Sequence, residues 1–203
     1  MPIGRGTGNL LTAEVDALVN TVNTEGVMGK GLALQFKKAF PDNFASYERA
    51  CKSGEVKTGQ MHIVQRLAPP RFIINFPTKT HWRKPSKLEY VRDGLCDLVT
   101  HVKRLNIESI AVPPLGCGNG GLEWSAVRPL IVEAFSAVPE VRVVLFEPAD
   151  APAADQIIDR RVKPGMTTAR AAVLALMGRY IATGYDYRLS LIEVQKLAYF
   201  LQR

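Results

Sequence analysis

Short apolar runs alternate with longer amphipathic stretches from residue 15 to residue 146, and this alternation limits the chain to few folds. Val15-Asp16-Ala17-Leu18-Val19-Asn20 reads as a buried strand that closes on a polar residue. Residues 29–40 carry helix-spaced Leu32, Leu34, Phe36, Ala39 and Phe40 and stop at Pro41, and residues 43–52 form a second helical piece. Strands are expected over 61–67 and 71–76, split by Ala68-Pro69-Pro70. The best-signalled helix follows Pro85. Ser86 and Glu89 have capping-box spacing, and Leu88, Val91, Leu95, Leu98, Val102 and Leu105 trace one apolar face. A strand over 109–115, a helix over 124–138 and a strand over 141–146 complete the pattern. Strands separated by helices pair in parallel through crossovers, so an α/β fold is expected, its mostly parallel sheet covered on both faces.

Beyond Glu147 the character changes to a stretch rich in alanine with Pro148, Pro152 and Pro164. Residues 149–165 read as a linker and 166–203 as a helical segment, with patterns starting at Thr167 and Leu189. So short a segment buries little core alone, so it is expected to be the truncated start of a second domain. Cys51, Cys96 and Cys117 are odd in number and far apart, which fits neither a disulfide framework nor a paired zinc site. With no apolar leader and no run near the roughly 18 residues of a membrane span, a cytoplasmic protein without membrane contact or bound metal is expected. The net charge of +7 favours polyanions. Charge alone does not separate a nucleic-acid binder from an enzyme of phosphorylated small molecules.

Two glycine-rich segments sit where a strand hands over to a helix: Gly26-Val27-Met28-Gly29-Lys30-Gly31 and Gly116-Cys117-Gly118-Asn119-Gly120-Gly121. There the main-chain N–H groups and the helix dipole favour phosphate, and glycine lets the backbone approach closely. Two such loops at neighbouring strand ends suit a diphosphate. The P-loop pattern fails, because Thr24 and Gly31 stand where it needs Gly and Ser or Thr. Gly116, Gly118 and Gly121 fit a dinucleotide fingerprint, but after nearly the last strand. The acidic partner about 20 residues on is missing as well, since Glu133 falls in mid-helix.

Taken together, the two loops resemble the ligand loops of macrodomains. The first is carried by Val15 to Asn20, Asn23, and Gly26 to Ala33; the second by Pro113-Pro114-Leu115-Gly116-Cys117-Gly118 with Gly120-Gly121-Leu122. The resemblance covers residues 1–148 and implies a three-layer α/β/α sandwich with a mixed, mostly parallel sheet. Asn75-Phe76-Pro77-Thr78-Lys79-Thr80-His81-Trp82-Arg83 is similar to a run found in DarG-type macrodomains. These are bacterial antitoxins, related to the lysine-dependent human glycohydrolases, that remove ADP-ribose from thymidine bases in single-stranded DNA. Glu193 to Phe200 resembles the start of their second domain. The resemblance implies hydrolysis of an N-glycosidic bond, ADP-ribose as ligand and product with no further cofactor, and a DarT-type toxin as the opposed partner.

The site residues follow from the resemblance. Lys79 matches the catalytic lysine, as nucleophile or proton donor. Asn20 and Asn23 would meet the distal ribose, with Gly29, Lys30, Gly31 and Thr78 in the same wall. Pro114, Leu115, Gly116, Cys117 and Gly118 would hold the diphosphate together with Asn119, Gly120, Gly121 and Leu122. Gly8-Asn9-Leu10 occupies the place where ligand-binding macrodomains carry Gly-Asp for the adenine, so Asn9 and Leu10 would lie at that end of the ligand; the Asn9 carbonyl still accepts, but without charge. Gly120 replaces the aspartate of the human glycohydrolase, so a two-residue Lys/Asp mechanism does not transfer, and Glu123 is the nearby alternative. His81, Trp82 and Arg83, with Lys84, suit an unpaired base and its phosphate, whereas His62 and His101 read as structural. A non-catalytic ADP-ribose-binding module and a hydrolase of ADP-ribosylated protein are the competing readings.

Overall fold

Six strands join in one sheet: β1 (Ile3–Gly6), β2 (Ala17–Asn23), β3 (His62–Gln65), β4 (Phe72–Lys79), β5 (Ser109–Val112) and β6 (Arg142–Phe146). Around them lie α1 (Gly31–Ala39), α2 (Pro41–Lys52), α3 (Leu88–Arg104) and α4 (Trp124–Phe135). The computed structural model describes residues 3–148, 158–160, 166–182 and 190–200. The chain divides into two units, Met1–Arg161 and Val162–Arg203.

The strand order is β1-β6-β5-β2-β4-β3, parallel throughout except for antiparallel β3. Side chains alternate across the sheet with the period of two that a strand imposes. Ala17, Val19, Phe72, Ile74, Phe76, Ile110 and Val112 share one core with Val91, Leu95 and Leu98 of α3 and with Val127, Ile131 and Phe135 of α4. Leu18, Ile73 and Ala111 point the other way, onto Phe36 and Ala39 of α1 and onto Phe40. The result is the three-layer sandwich.

Several boundaries depart from expectation, each for a physical reason. β1 carries no strand signal, because Gly4, Arg5 and Gly6 are poor β-formers. It forms on the edge of β6, where the Phe146 ring covers Gly6 at 2.5 Å from where a Cβ would stand. β4 does not stop before Pro77 but continues to Lys79. Its pairing with β2 shifts between Val22↔Pro77 and Asn23↔Lys79, and such an irregularity is where a sheet tolerates a residue without an N–H. Pro41 opens α2 rather than merely ending α1. Ser86 does not cap α3: the cap position is Lys87, with no side-chain bond. The capping box expected there occurs instead on α6 (Leu191–Phe200), where the Ser190 N–H donates to Glu193 Oε2 at 2.8 Å. α6 and α5 (Thr168–Ala182) form the described part of the second unit.

Most of the expected linker lies outside the described residues. Ile158 packs on the Leu11–Phe40 side of the first unit, and the Arg160 N–H donates to the Lys38 carbonyl at 2.8 Å. Among the described residues no helix is long and apolar enough to cross a membrane.

Gly94 tests the packing of α3 on β4. Glycine to alanine in a helix ordinarily stabilises by about 1 kcal/mol. A Cβ here would stand 2.3 Å from the Phe76 ring. Gly94→Ala is therefore expected to destabilise by about 1–3 kcal/mol, read as a lowered Tm in thermal denaturation. An unchanged or raised Tm would contradict this packing.

Candidate functional site

The parallel strands β2, β4 and β5 direct their carboxyl ends to one edge of the sheet, β5 stopping first, and the two glycine loops follow β2 and β5 there, where open α/β sheets form their crevice. The first loop is closed by Asn23. Its Oδ1 accepts the N–H groups of Glu25 (2.9 Å) and Val27 (3.3 Å), and its Nδ2 donates to the Val27 carbonyl (2.6 Å). From below, the Tyr47 hydroxyl donates to the Asn23 carbonyl at 2.7 Å, and burial pushes that phenol far above its ordinary range. Gly26, at φ +79°, lets the turn press on α2, where a Cβ would stand 3.4 Å from Cys51 Cβ. Burial also raises the Cys51 thiol.

Asn20 sits deeper and is fully enclosed. Its Nδ2 donates to Asn75 Oδ1 at 3.0 Å and lies 3.9 Å from the Met28 sulfur, while its Oδ1 has no partner among the described residues. Both asparagines are buried, and the loop bonds engage Asn23. Their place is beneath the wall, supporting it. Gly29, Lys30 and Gly31 are exposed, as is Val27, and Gly31 opens α1 at φ +56°.

The second loop follows Val112, where Pro113-Pro114 ends the strand short of the expected Leu115. The N–H groups of Cys117, Gly121 and Leu122 donate at 3.1 Å to the carbonyls of Pro114, Gly118 and Gly116 respectively. Gly116 and Gly121 take φ near +75°, which a side chain resists. Leu115, Gly116 and Gly120 are buried, Pro114, Cys117 and Leu122 half-buried, and Gly118, Asn119 and Gly121 exposed. Burial, reinforced by Glu123, raises the Cys117 thiol to about 11, so at neutral pH it is a thiol.

Lys79 lies between the loops. Its Nζ donates to the main-chain carbonyl of Asn119. The Asn119 side chain in turn reaches Gly31, where a Cβ would stand 3.2 Å from its Nδ2. Burial lowers the Lys79 pKa, since a half-enclosed ammonium is poorly hydrated. Thr24 Oγ1 donates to the Thr80 carbonyl at 2.6 Å and ties the end of β4 to the first loop. Thr78 is buried, 3.5 Å from the Val22 carbonyl, and so does not face the crevice.

Beyond Lys79 the His81 and Trp82 rings stack with centroids 5.5 Å apart, and the Arg83 guanidinium lies 4.4 Å over Trp82. Trp82 is 45% exposed. Asn9 Oδ1 accepts the Leu11 N–H at 2.9 Å, capping a 3-10 turn in which Leu10 is buried. With Thr7, Gly6 and Phe146, Asn9 lines a groove of about 560 Å³ that neither glycine loop reaches. The structure thus gathers Lys79, Gly31 and Asn119 closely, while Leu10 packs with Leu32 and Phe36 of α1. Sequence reading missed Thr24 and Tyr47 as supports and read Ser86 as a cap; only the spacing of Ser86 from Lys79 within one segment hints at its place.

Comparison with known proteins agrees with this geometry. The Macro domain model matches residues 19–131. A DNA ADP-ribosyl glycohydrolase of Thermus aquaticus is 55% identical over 197 residues, 96% of this chain and 54% of the relative. The solved macrodomain of Mycobacterium tuberculosis DarG is 55% identical, covering 72% of this chain and 98% of that one, with a TM-score of 0.71. Thermosipho africanus DarTG, solved in complex with ADP-ribose, is 34% identical over 75% of this chain and 43% of its own, with a TM-score of 0.67. A DNA ADP-ribosyl transferase–glycohydrolase fusion protein of that organism is 35% identical over 160 residues, 70% of this chain and 41% of the fusion. The chain spans about half the length of the curated relatives it matches. With the sheet order, both glycine loops and the family match in agreement, the chain belongs to the macrodomain family.

Proposed function

We propose that this macrodomain is a DNA ADP-ribosyl glycohydrolase, which releases ADP-ribose from thymidine bases of single-stranded DNA and so reverses a DarT-type toxin. The observation that carries the reading is Lys79, a half-buried amine of lowered pKa held between two glycine loops. A module that only binds ADP-ribose has no need of it. The relatives named as DNA ADP-ribosyl glycohydrolases, and the fusion of such an enzyme with a transferase, support the substrate and the partner.

The chemistry follows from the bond. Cleaving an N-glycosidic link leaves an electron-poor ribose carbon, and water must complete the exchange to give ADP-ribose and thymidine. The exposed backbone of Gly29 to Gly31 and of Gly118 to Gly121 would grip the diphosphate and distal ribose, with no further cofactor. Lys79 would stand at the reacting carbon. Gly120 offers no space for a carboxylate, because a Cβ there would lie 2.2 Å from the Gly116 carbonyl, so Lys79 works without the aspartate of the human glycohydrolases. The exposed His81–Trp82–Arg83 stack and the +7 charge suit the neighbouring single strand.

The deciding experiment incubates the protein with ADP-ribosylated single-stranded DNA and, separately, with ADP-ribosylated protein. Release from DNA alone is expected. Release from protein alone would replace the DNA substrate, and release from neither would leave a binding module. Lys79→Ala should abolish release while ADP-ribose still binds in calorimetry; full activity would overturn the assignment. The rate–pH profile should bend below the ordinary lysine range, since burial disfavours the ammonium. A rate that rises with pH through that bend marks the neutral amine as nucleophile, and one that falls marks the ammonium as proton donor. Trp82→Ala should raise KM for modified DNA by roughly 5- to 100-fold, the worth of about one stacked base, with free ADP-ribose binding unchanged.

A further inference from the structure

We propose that Ser86 is a positioning residue for Lys79, acting through Gly120 and the main-chain carbonyl of Asn119. The inference rests on Lys79 being the reactive amine.

Ser86 lies just before a helix yet leaves it uncapped, and it is 6% exposed with no partner for its Oγ among the described residues. A buried hydroxyl that bonds to nothing is unfavourable, so its reason lies in shape or in another contact. What surrounds it is the second glycine loop. The Ser86 N–H donates to the Gly120 carbonyl at 2.9 Å. A Cβ on Gly116 would stand 3.0 Å from Ser86 Cβ, and one on Gly120 would stand 2.3 Å from Ser86 Oγ. Two glycines of the loop therefore rest on one serine. The Gly116 carbonyl crowds the same position, 2.2 Å from where a Gly120 Cβ would stand.

One residue back along the loop is the carbonyl that accepts Lys79 Nζ. Lys79 and Ser86 belong to one segment, so it grips the loop at two adjacent points, Asn119 by the amine and Gly120 by the Ser86 N–H. The size of residue 86 thus sets how deeply the Asn119–Gly120 peptide sits. A larger side chain there, or a Cβ at 120, lifts the peptide and takes the acceptor from Lys79. A neutral carbonyl orients the amine while favouring its charged form less than a carboxylate would.

Ser86→Val and Gly120→Ala press on this contact from opposite sides. Two signals are read: turnover of ADP-ribosylated single-stranded DNA, and the Lys79 ammonium resonance in nitrogen-15 NMR at mildly acid pH. That resonance is assigned by its loss in Lys79→Ala, and a hydrogen bond slows its exchange with water. Both variants should lose the slowly exchanging Lys79 signal and fall about 10- to 100-fold in kcat, as a misplacement near 1 Å does. Lys87→Ala, at the exposed neighbouring position, should keep both. An intact signal in Ser86→Val, with or without loss of turnover, overturns the proposal. A lost signal with full turnover upholds the contact and overturns Lys79 as the reactive group. Should Ser86→Val not fold, Gly120→Ala decides by the same two readouts.

Discussion

The pairing of β2 with β4 governs the rest of the molecule. These are the two most enclosed strands, and their register slips by one residue between Val22↔Pro77 and Asn23↔Lys79. Pro77 brings no N–H to the ladder, so regular pairing ends there in any case. The slip absorbs Thr78 into the buried interior and sets Lys79 level with Asn23 at the crevice edge. Because strand side chains alternate, a one-residue change of register decides which groups reach a given face. Both glycine loops are then arranged around that edge.

Glycines give the loops their close approach but no rigidity of their own. Rigidity comes from side chains outside the glycines. Asn23 bonds the first loop to itself, Tyr47 holds it from α2, and Asn20, Asn75 and Asn43 form a buried amide network below. The second loop has fewer such bonds and rests on Ser86. Buried amides are favourable only when nearly all their groups are satisfied, so such a network resists displacement and keeps the crevice preorganised.

Much of this was legible beforehand. The alternation of strands and helices, the two loops and Lys79 all rest on local patterns, which survive folding because they are properties of a short stretch. β1 was not legible, since its residues form a strand only against β6 and under Phe146. The burial of Asn20 and Asn23 was not legible for a similar reason: an asparagine beside a glycine loop looks the same in sequence whether it points outward or inward. Ser86 illustrates the limit most sharply. Its spacing to Glu89 satisfies the capping rule, yet the second loop, distant in sequence, occupies the space and takes its N–H.

By itself the sequence determined the layered α/β architecture, the family and the two glycine loops. Hydrophobic periodicity and glycine placement act locally and need no partner. Only the tertiary structure decided which polar groups face outward, that Gly120 has no room for a carboxylate, and that a main-chain carbonyl holds Lys79. Those outcomes depend on contacts between segments as far apart as Lys79 and Asn119, and excluded volume between such segments exists only once the chain has packed.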